Sequence, residues 1–272
     1  MTHSKYEFSR LTDLPSMPVL LVEALQQING QQDLTTLIDK IILDPAMTLR
    51  ILRIVNSPFY GMPREIGSLR EAIVLLGFNR IRDVLVSFCF SNMLIARHKD
   101  FNYRQLWHHS MAVAECARQL ACLSGNSPGF AFTAGLLHDI GRLVIDRLFP
   151  DEFNQIIHES ATTPLIETER RILGFDHMSI GGMAAQHWNL PVAIQQAIEQ
   201  HETPPEADTD KSLEWLIYTA NVLIVKTEQS DEFTLGEHAP LCAALALLNI
   251  SIEQAAQCAQ RGQQFANQIT LT

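Results

Sequence analysis

The chain has 272 residues, of which 47% are hydrophobic and 18% charged, a composition typical of a globular protein with a large core. Its net charge of −10 is uneven: residues 1–107 carry 12 Lys/Arg and 10 Asp/Glu, whereas residues 108–272 carry 8 and 20. This acidic second half argues against nucleic acid as a partner. No apolar run approaches the ~18 residues of a membrane helix, and no apolar signal core is present. We therefore expect a cytoplasmic protein with no membrane partner and with five reduced cysteines.

Helical segments with capping signals follow one another through the first hundred residues. Asp44 can cap a helix whose first turn holds Pro45. Ser68 and Glu71 have the spacing of a capping box, and Gly77 ends that segment. The last segment, "NRIRDVLVSFCFSNMLIA", contains a run that resembles a buried strand, but it has no hairpin or crossover partner, so we interpret it as helix. Helices are thus predicted over 18–30, 34–43, 44–56, 68–77 and 79–96.

The next helix, "WHHSMAVAECARQLACL" over 107–123, carries two adjacent histidines. His109 begins an apolar stripe, whereas His108 begins a stripe that continues with Glu115 and Gln119. Helical periodicity therefore directs His109 towards the core and His108 towards solvent. The alanines of this helix permit the close approach of a neighbouring helix.

That neighbour is expected to be "AFTAGLLHDIGRLVID", in which His138 and Asp139 stand inside an apolar run. Burying two titratable groups requires either neutralising protein groups or a cation. Two further histidines, His177 after the cap residue Asp176 and His201, also begin or end apolar stripes. A single inward histidine is usually a core residue. Four such histidines and an aspartate favour a shared metal site.

These residues resemble the HD superfamily of metal-dependent phosphohydrolases. Together with "IILDPAMTLRILRIVNSPFYG", "SLREAIVLLGFNRIRDVLV" and "LGFDHMSIGGMAAQHWNLPVAIQQAIEQHE", they make residues 8–225 similar to the HDOD domain (HD-related output domain). The resemblance implies an all-helical bacterial signalling module that is generally regulatory rather than catalytic. It also implies a metal site at His109, His138 and Asp139, with His177 and His201 matching the additional histidines of two-metal relatives.

Two features depart from the catalytic members of the superfamily. Asn221 stands where the resemblance implies a closing aspartate, and a neutral amide should bind a metal more weakly. The glycine-tyrosine-proline signature of relatives that cleave cyclic di-GMP is absent, since "HETPPEA" follows His201. A phosphohydrolase also needs basic groups for phosphate, and Arg142 is the one nearest the His138-Asp139 pair.

We therefore predict an all-α protein in which an N-terminal helical subdomain (1–105) packs on an HD-like multi-helix subdomain (106–225). A C-terminal helical extension (226–272) would cover the HD-like part or a dimer surface. The first hypothesis is a non-catalytic regulatory module with a vestigial or regulatory site for Mn, Fe, Mg, Ni or Zn. The alternative is a metal-dependent phosphohydrolase acting on a nucleotide or second messenger. The expected partners are signalling proteins and a phosphate-containing ligand, and no catalytic residue is assigned.

Overall fold

The computed structural model describes residues 41–42, 45–91, 93–94, 97–204, 212–229 and 238–269, and this part of the chain contains helices and no strand. The all-α prediction is therefore confirmed. The predicted helix over 18–30, most of that over 34–43 and the proposed cap Asp44 lie outside the described residues. The helices are α1 Pro45–Val55, α2 Leu69–Leu76, α3 Phe78–Ser91, α4 Tyr103–Ser124, α5 Pro128–Leu137, α6 Ile140–Leu148, α7 Pro150–Glu159, α8 Leu165–Leu173, α9 His177–His187, α10 Val192–Gln200, α11 Leu213–Gln229, α12 Ala239–Leu248 and α13 Ile252–Gln268, with a 3₁₀ turn at Pro58–Tyr60.

Local capping chemistry begins several of these helices. At α2 the Ser68 hydroxyl accepts a hydrogen bond from the Glu71 N–H at 3.2 Å, but the Glu71 carboxylate accepts from the N–H of Gly67 rather than from that of Ser68. The predicted capping box is therefore half formed. At α13 the reciprocal pair between Ser251 and Gln254 is complete. Each bond satisfies an N–H that has no partner inside its helix.

Helices α1, α2 and α3 pack on one another, and α3 contacts α5. Helix α3 ends at Ser91, short of the predicted end at residue 96. The Ser91 hydroxyl donates to the Phe88 carbonyl at 2.6 Å, a local bond that competes with continuation of the helix. Helix α4 begins at Tyr103, and α11 runs through residue 225. The division of the chain at 105/106 and 225/226 stays a prediction.

Helix α4 is central, because α5, α11 and α13 all pack against it. Small residues allow the close approach. A Cβ atom added at Gly135 of α5 would lie 2.9 Å from Ala114 Cα, and one added at Gly262 of α13 would lie 2.5 Å from the Ala112 carbonyl oxygen. Helix α5, which leads into His138, is thus the neighbour that the alanines of α4 predicted.

The solvent-facing stripe predicted on α4 is wrong. Glu115 is fully buried, and its carboxylate accepts hydrogen bonds from Arg118 Nε at 2.7 Å and from Arg80 Nη1 of α3 at 3.1 Å. His108 is only half-exposed, with Nε2 2.8 Å from Asn267 Oδ1 of α13. The reason is that α13 and the arginine of α3 cover this side of α4 as well.

The C-terminal helices cover the HD-like part, which is one of the two roles considered for this segment. Helix α13 lies along α4 and α11. It buries Cys116 and Cys258, whereas Cys122 and Cys242 are exposed, and burial raises the pKa of Cys116 well above its usual value. In the described residues no single helix is long and apolar enough to cross a membrane. Helices α12 and α13 reach that length and composition only together, across a bend of 97°.

Candidate functional site

Six residues from five parts of the fold line one crevice, which we call the HD pocket. They are His109 (α4), His138 and Asp139 (between α5 and α6), His177 (start of α9), His201 (after α10) and Asn221 (α11). Nitrogen and carboxylate atoms of His109, His138 and Asp139 lie within 4.8 Å of one another, and so do those of Asp139, His177 and His201. Asp139 belongs to both sets. The sequence pattern therefore identified side chains that converge, while their binding of a metal stays a prediction.

A break between two helices lets adjacent residues face the same crevice. Neighbouring residues in one helix point about 100° apart. His138 still has helical dihedral angles, but Asp139 has φ −93° and ψ 12°, so that the chain turns before α6 begins. The Arg142 guanidinium, one turn into α6, lies 3.4 Å from Asp139 Oδ2. Asp139 is held where it can meet histidines from three other helices.

The rings of His138 and His201 are oriented by their own chain segments. His138 donates Nδ1–H to the Gly135 carbonyl at 2.7 Å, and His201 donates Nδ1–H to the Ile198 carbonyl at 2.7 Å. The Nε2 atom of each ring therefore faces the HD pocket. His138 Nε2 is buried without a hydrogen-bond partner. A ring held at Nδ1 with an open Nε2 is the arrangement typical of metal-ligating histidines.

Carboxylates on other helices orient the remaining two rings. Glu169 of α8 accepts from His177 Nδ1 at 2.7 Å and also from the His177 backbone N–H. Glu228 of α11 lies 3.2 Å from His109 Nδ1. Burial opposes protonation of both histidines, but these carboxylates outweigh it and raise the pKa of each. The rings are thus fixed across helix boundaries.

The pocket favours a neutral imidazole at His138 beside an ionised Asp139. Burial, reinforced by the neighbouring His201 and His109, lowers the pKa of His138 to about 3. Burial opposes ionisation of Asp139, but the histidines around it and Arg142 hold its pKa well below the usual value. An ionised carboxylate and a neutral imidazole are the forms in which these side chains bind metals.

The remaining ring nitrogens also converge on Asp139. His177 Nε2 and His201 Nε2 are 3.3 Å apart, and they lie 3.5 and 3.4 Å from Asp139 Oδ1. Asn221 is buried, with Oδ1 3.1 Å from His109 Nε2. Separations of 3.3–3.5 Å match those of ligand atoms placed tetrahedrally at ~2.0–2.1 Å around one ion, so the residues present fit a divalent metal.

Sequence reasoning missed three carboxylates around the pocket, Glu169, Glu202 and Glu228. Together with Asp139 they carry a formal charge of −4, and the guanidinium of Arg142, which lies beside Asp139, brings the sum to −3. Glu228 could have been found, because it lies two turns after Asn221 on the same helix face. Glu169 could not, because only the packing of α8 brings it to His177. The surplus of negative charge attracts cations.

Comparisons with known proteins agree with the fold. The chain matches an uncharacterized Treponema pallidum protein at 28% identity over 223 residues, and spans 43% of that protein's length. Among solved structures, an HDOD domain protein of Geobacter sulfurreducens covers 95% of this chain (94% of its own) at 21% identity and a TM-score of 0.81. A Shewanella amazonensis protein provisionally named a phosphohydrolase covers 98% (99% of its own) at 24% and 0.79. The MmoQ response regulator of Methylococcus capsulatus covers 90% (98% of its own) at 25% and 0.52.

A family model settles the assignment. The model of the HDOD domain matches residues 14–204, which include five of the six pocket residues and exclude Asn221. Most of the chain is therefore accounted for by one family. The chain belongs to the HDOD domain family.

Proposed function

We propose that this protein is a regulatory HDOD module whose HD pocket binds a divalent metal ion without hydrolysing phosphate esters. Family membership supports the regulatory part, as does the likeness to a protein named as a response regulator. The proposed metals are Mn, Fe, Mg, Ni or Zn, since imidazole and carboxylate ligands suit several of these. The proposed partners are signalling proteins, with no nucleic acid.

One observation carries the metal-binding proposal. His138 Nε2 is completely buried and has no hydrogen-bond partner, although its Nδ1 is bonded and the ionised Asp139 lies beside it. An open nitrogen inside a protein costs free energy unless something binds it. A divalent cation accepts this lone pair and is attracted by the surrounding carboxylates.

The same surroundings argue against hydrolysis. A bound metal supplies a water of lowered pKa and neutralises phosphate charge. The protein must still hold the phosphate oxygens, which needs cationic side chains or free backbone N–H groups. Arg142 lies 3.4 Å from Asp139 and over the Phe101 ring, so its charge is already shared. The carboxylates Glu202 and Glu228 would repel a phosphate group.

The alternative function, a metal-dependent phosphohydrolase acting on a nucleotide or second messenger, is favoured by a different observation. Asp139 belongs to both sets of converging side chains. A carboxylate shared by two sets suits a two-metal site, in which one ion stabilises the attacking oxygen and the other the leaving oxygen. Under this alternative the phosphate-containing ligand is a substrate, whereas in a regulatory module it is an effector.

Metal analysis and a turnover assay separate the two functions. We expect elemental analysis of the purified protein to find one of the proposed divalent metals bound, and His138→Ala to lose it. We further expect the Mn²⁺-loaded protein to hydrolyse bis(4-nitrophenyl) phosphate no faster than His138→Ala does. Turnover that disappears in His138→Ala would establish the phosphohydrolase instead. Absence of metal from the purified protein, together with no uptake on titration, would contradict the metal-binding proposal.

A further inference from the structure

The Asn221 amide links two side chains at the rim of the HD pocket. Its Oδ1 lies 3.1 Å from His109 Nε2, while its Nδ2 lies 3.5 Å from Glu202 Oε1. The oxygen end therefore faces a pocket histidine, and the nitrogen end draws a carboxylate towards the same place. Glu202 was not identified as a pocket residue from the sequence.

Glu202 can reach the pocket interior. It follows His201 directly, and its Oε1 lies 3.9 Å from His201 Nε2. Its side chain is 41% exposed, which leaves it free to change rotamer, unlike the fully buried His201. The carboxylate therefore lies close to His201, which belongs to one set of converging side chains, and beside Asn221, which contacts His109 of the other set.

Charge balance favours a second carboxylate in the set formed by His109, His138 and Asp139. Asp139 contributes one negative charge, whereas a divalent ion carries two positive charges, and uncompensated charge in a buried site is costly. Asn221 contributes a neutral amide. The unpartnered, buried Nε2 of His138 independently indicates that this set holds a ligand.

The other two carboxylates cannot fill this role. Glu169 and Glu228 approach His177 and His109 at Nδ1, which is the edge of each ring away from Nε2. They orient and polarise the rings from outside. Glu202, by contrast, approaches His201 at Nε2, the edge that faces the pocket.

We propose that Glu202 is a metal ligand of the HD pocket, and that the Asn221 amide positions it there. This inference rests on the proposed metal site. Glu202 supplies the negative charge that Asn221 lacks. The site would then have an anionic ligand after α10, whereas the resemblance implies an aspartate at position 221 on α11. The ligand set of the metal would then be complete only when Glu202 lies against Asn221 of α11.

Calorimetric titration with Mn²⁺ of the chelator-stripped 272-residue chain tests this. We expect Glu202→Gln to lower the affinity by at least ~10-fold, as loss of a coordinating or orienting group does at metal sites. Glu65→Gln, an equal change of charge at an exposed loop residue, should leave it unchanged. Asn221→Asp introduced into Glu202→Gln should restore the affinity. The absorption spectrum of bound Co²⁺ should differ between the wild type and Glu202→Gln, because a ligand is exchanged.

Three outcomes are distinguishable. Tight Mn²⁺ binding by the wild type with equal affinity in Glu202→Gln would overturn the role of Glu202 and leave the proposed metal site standing. No Mn²⁺ binding by the wild type would overturn both. A loss of affinity in Glu202→Gln without any change in the Co²⁺ spectrum would show a long-range charge effect and contradict direct ligation.

Discussion

Four histidines of the HD pocket are held at Nδ1, but by two different means. His138 and His201 bond to carbonyls three residues earlier in their own segments, so their orientation follows from local helical structure. His177 and His109 depend on carboxylates from other helices. The first pair should keep its ring orientation in any variant that keeps its helix, whereas the second pair requires intact tertiary packing.

Replacing Asn221 by aspartate should strengthen metal binding. The change removes the N–H that Asn221 donates to Glu202, but it adds a formal negative charge directly beside His109, where it can bind the metal in place of Glu202. The attraction between opposite charges is strong at a buried position. We expect the affinity for Mn²⁺ to rise at least ~10-fold, since metal sites respond on this scale to single groups around them. Calorimetric titration measures it. The matched control is Asn154→Asp, the same substitution on the exposed face of α7. Equal affinities in Asn221→Asp and the wild type would show that residue 221 does not face the metal.

At the scale of helices, the contact between α6 and α9 determines the pocket's geometry. A Cβ atom at Gly141 would lie 1.8 Å from the carbonyl oxygen of His177, so the two helices meet backbone to backbone. Asp139 precedes α6 and His177 begins α9. The distance between these two pocket residues therefore depends on one residue that lacks a side chain.

Gly141→Ala should damage both stability and metal binding. The added methyl group must push α6 and α9 apart, and overpacking of this kind costs about 1–3 kcal/mol or more. We expect a lower midpoint of urea unfolding and a weaker affinity for Mn²⁺, because Asp139 moves away from His177. Gly67→Ala is the control, since a Cβ atom there would meet no atom within 4 Å. Unchanged stability in Gly141→Ala would mean that the helices can separate freely.

The sequence could predict features that depend on interactions within one helix, but not those that depend on contacts between helices. The presence of the helices and the inward orientation of His177 and His201 follow from caps and periodicity, which act within one or two turns. The burial of Glu115 does not, because it depends on α3 and α13 covering a side of α4 that periodicity alone assigns to solvent. The position of Glu169 likewise requires knowledge of how α8 packs.

Across the whole molecule, a buried ionic network joins the N-terminal helices to the HD-like part. The Glu115 carboxylate of α4 forms ion pairs with Arg80 of α3 and with Arg118 of its own helix, and Arg261 Nε of α13 lies 3.7 Å from Glu115 Oε1. Arg261 also stacks on Phe59 of the 3₁₀ turn. Three separate parts of the chain thus meet at one carboxylate.

Glu115→Gln should therefore destabilise the fold, by about 3–5 kcal/mol at neutral pH, because it leaves the buried Arg118 and half-buried Arg80 guanidinium groups without their counter-charge. Burial opposes ionisation of Glu115, but Arg118 and Arg80 lower its folded-state pKa below 4.5. Its contribution is then complete above pH 4.5 and is lost as pH falls through the folded-state pKa. Urea unfolding from pH 7 to pH 3 should show the gap between wild type and variant shrinking. A gap that stays constant with pH would contradict the ionic origin, and Glu65→Gln provides the charge-matched control.

The burial of Cys116 beneath α13 has a consequence for measuring motion in this protein. An alkylating reagent can reach the Cys116 thiol only while α13 is lifted from α4, whereas Cys122 near the end of the same helix is always accessible. Under conditions where closing is faster than the chemistry, the ratio of the two alkylation rates reports the fraction of molecules with α13 detached. The relative alkylation rates of these two natural cysteines therefore measure how often α13 detaches, without any introduced label.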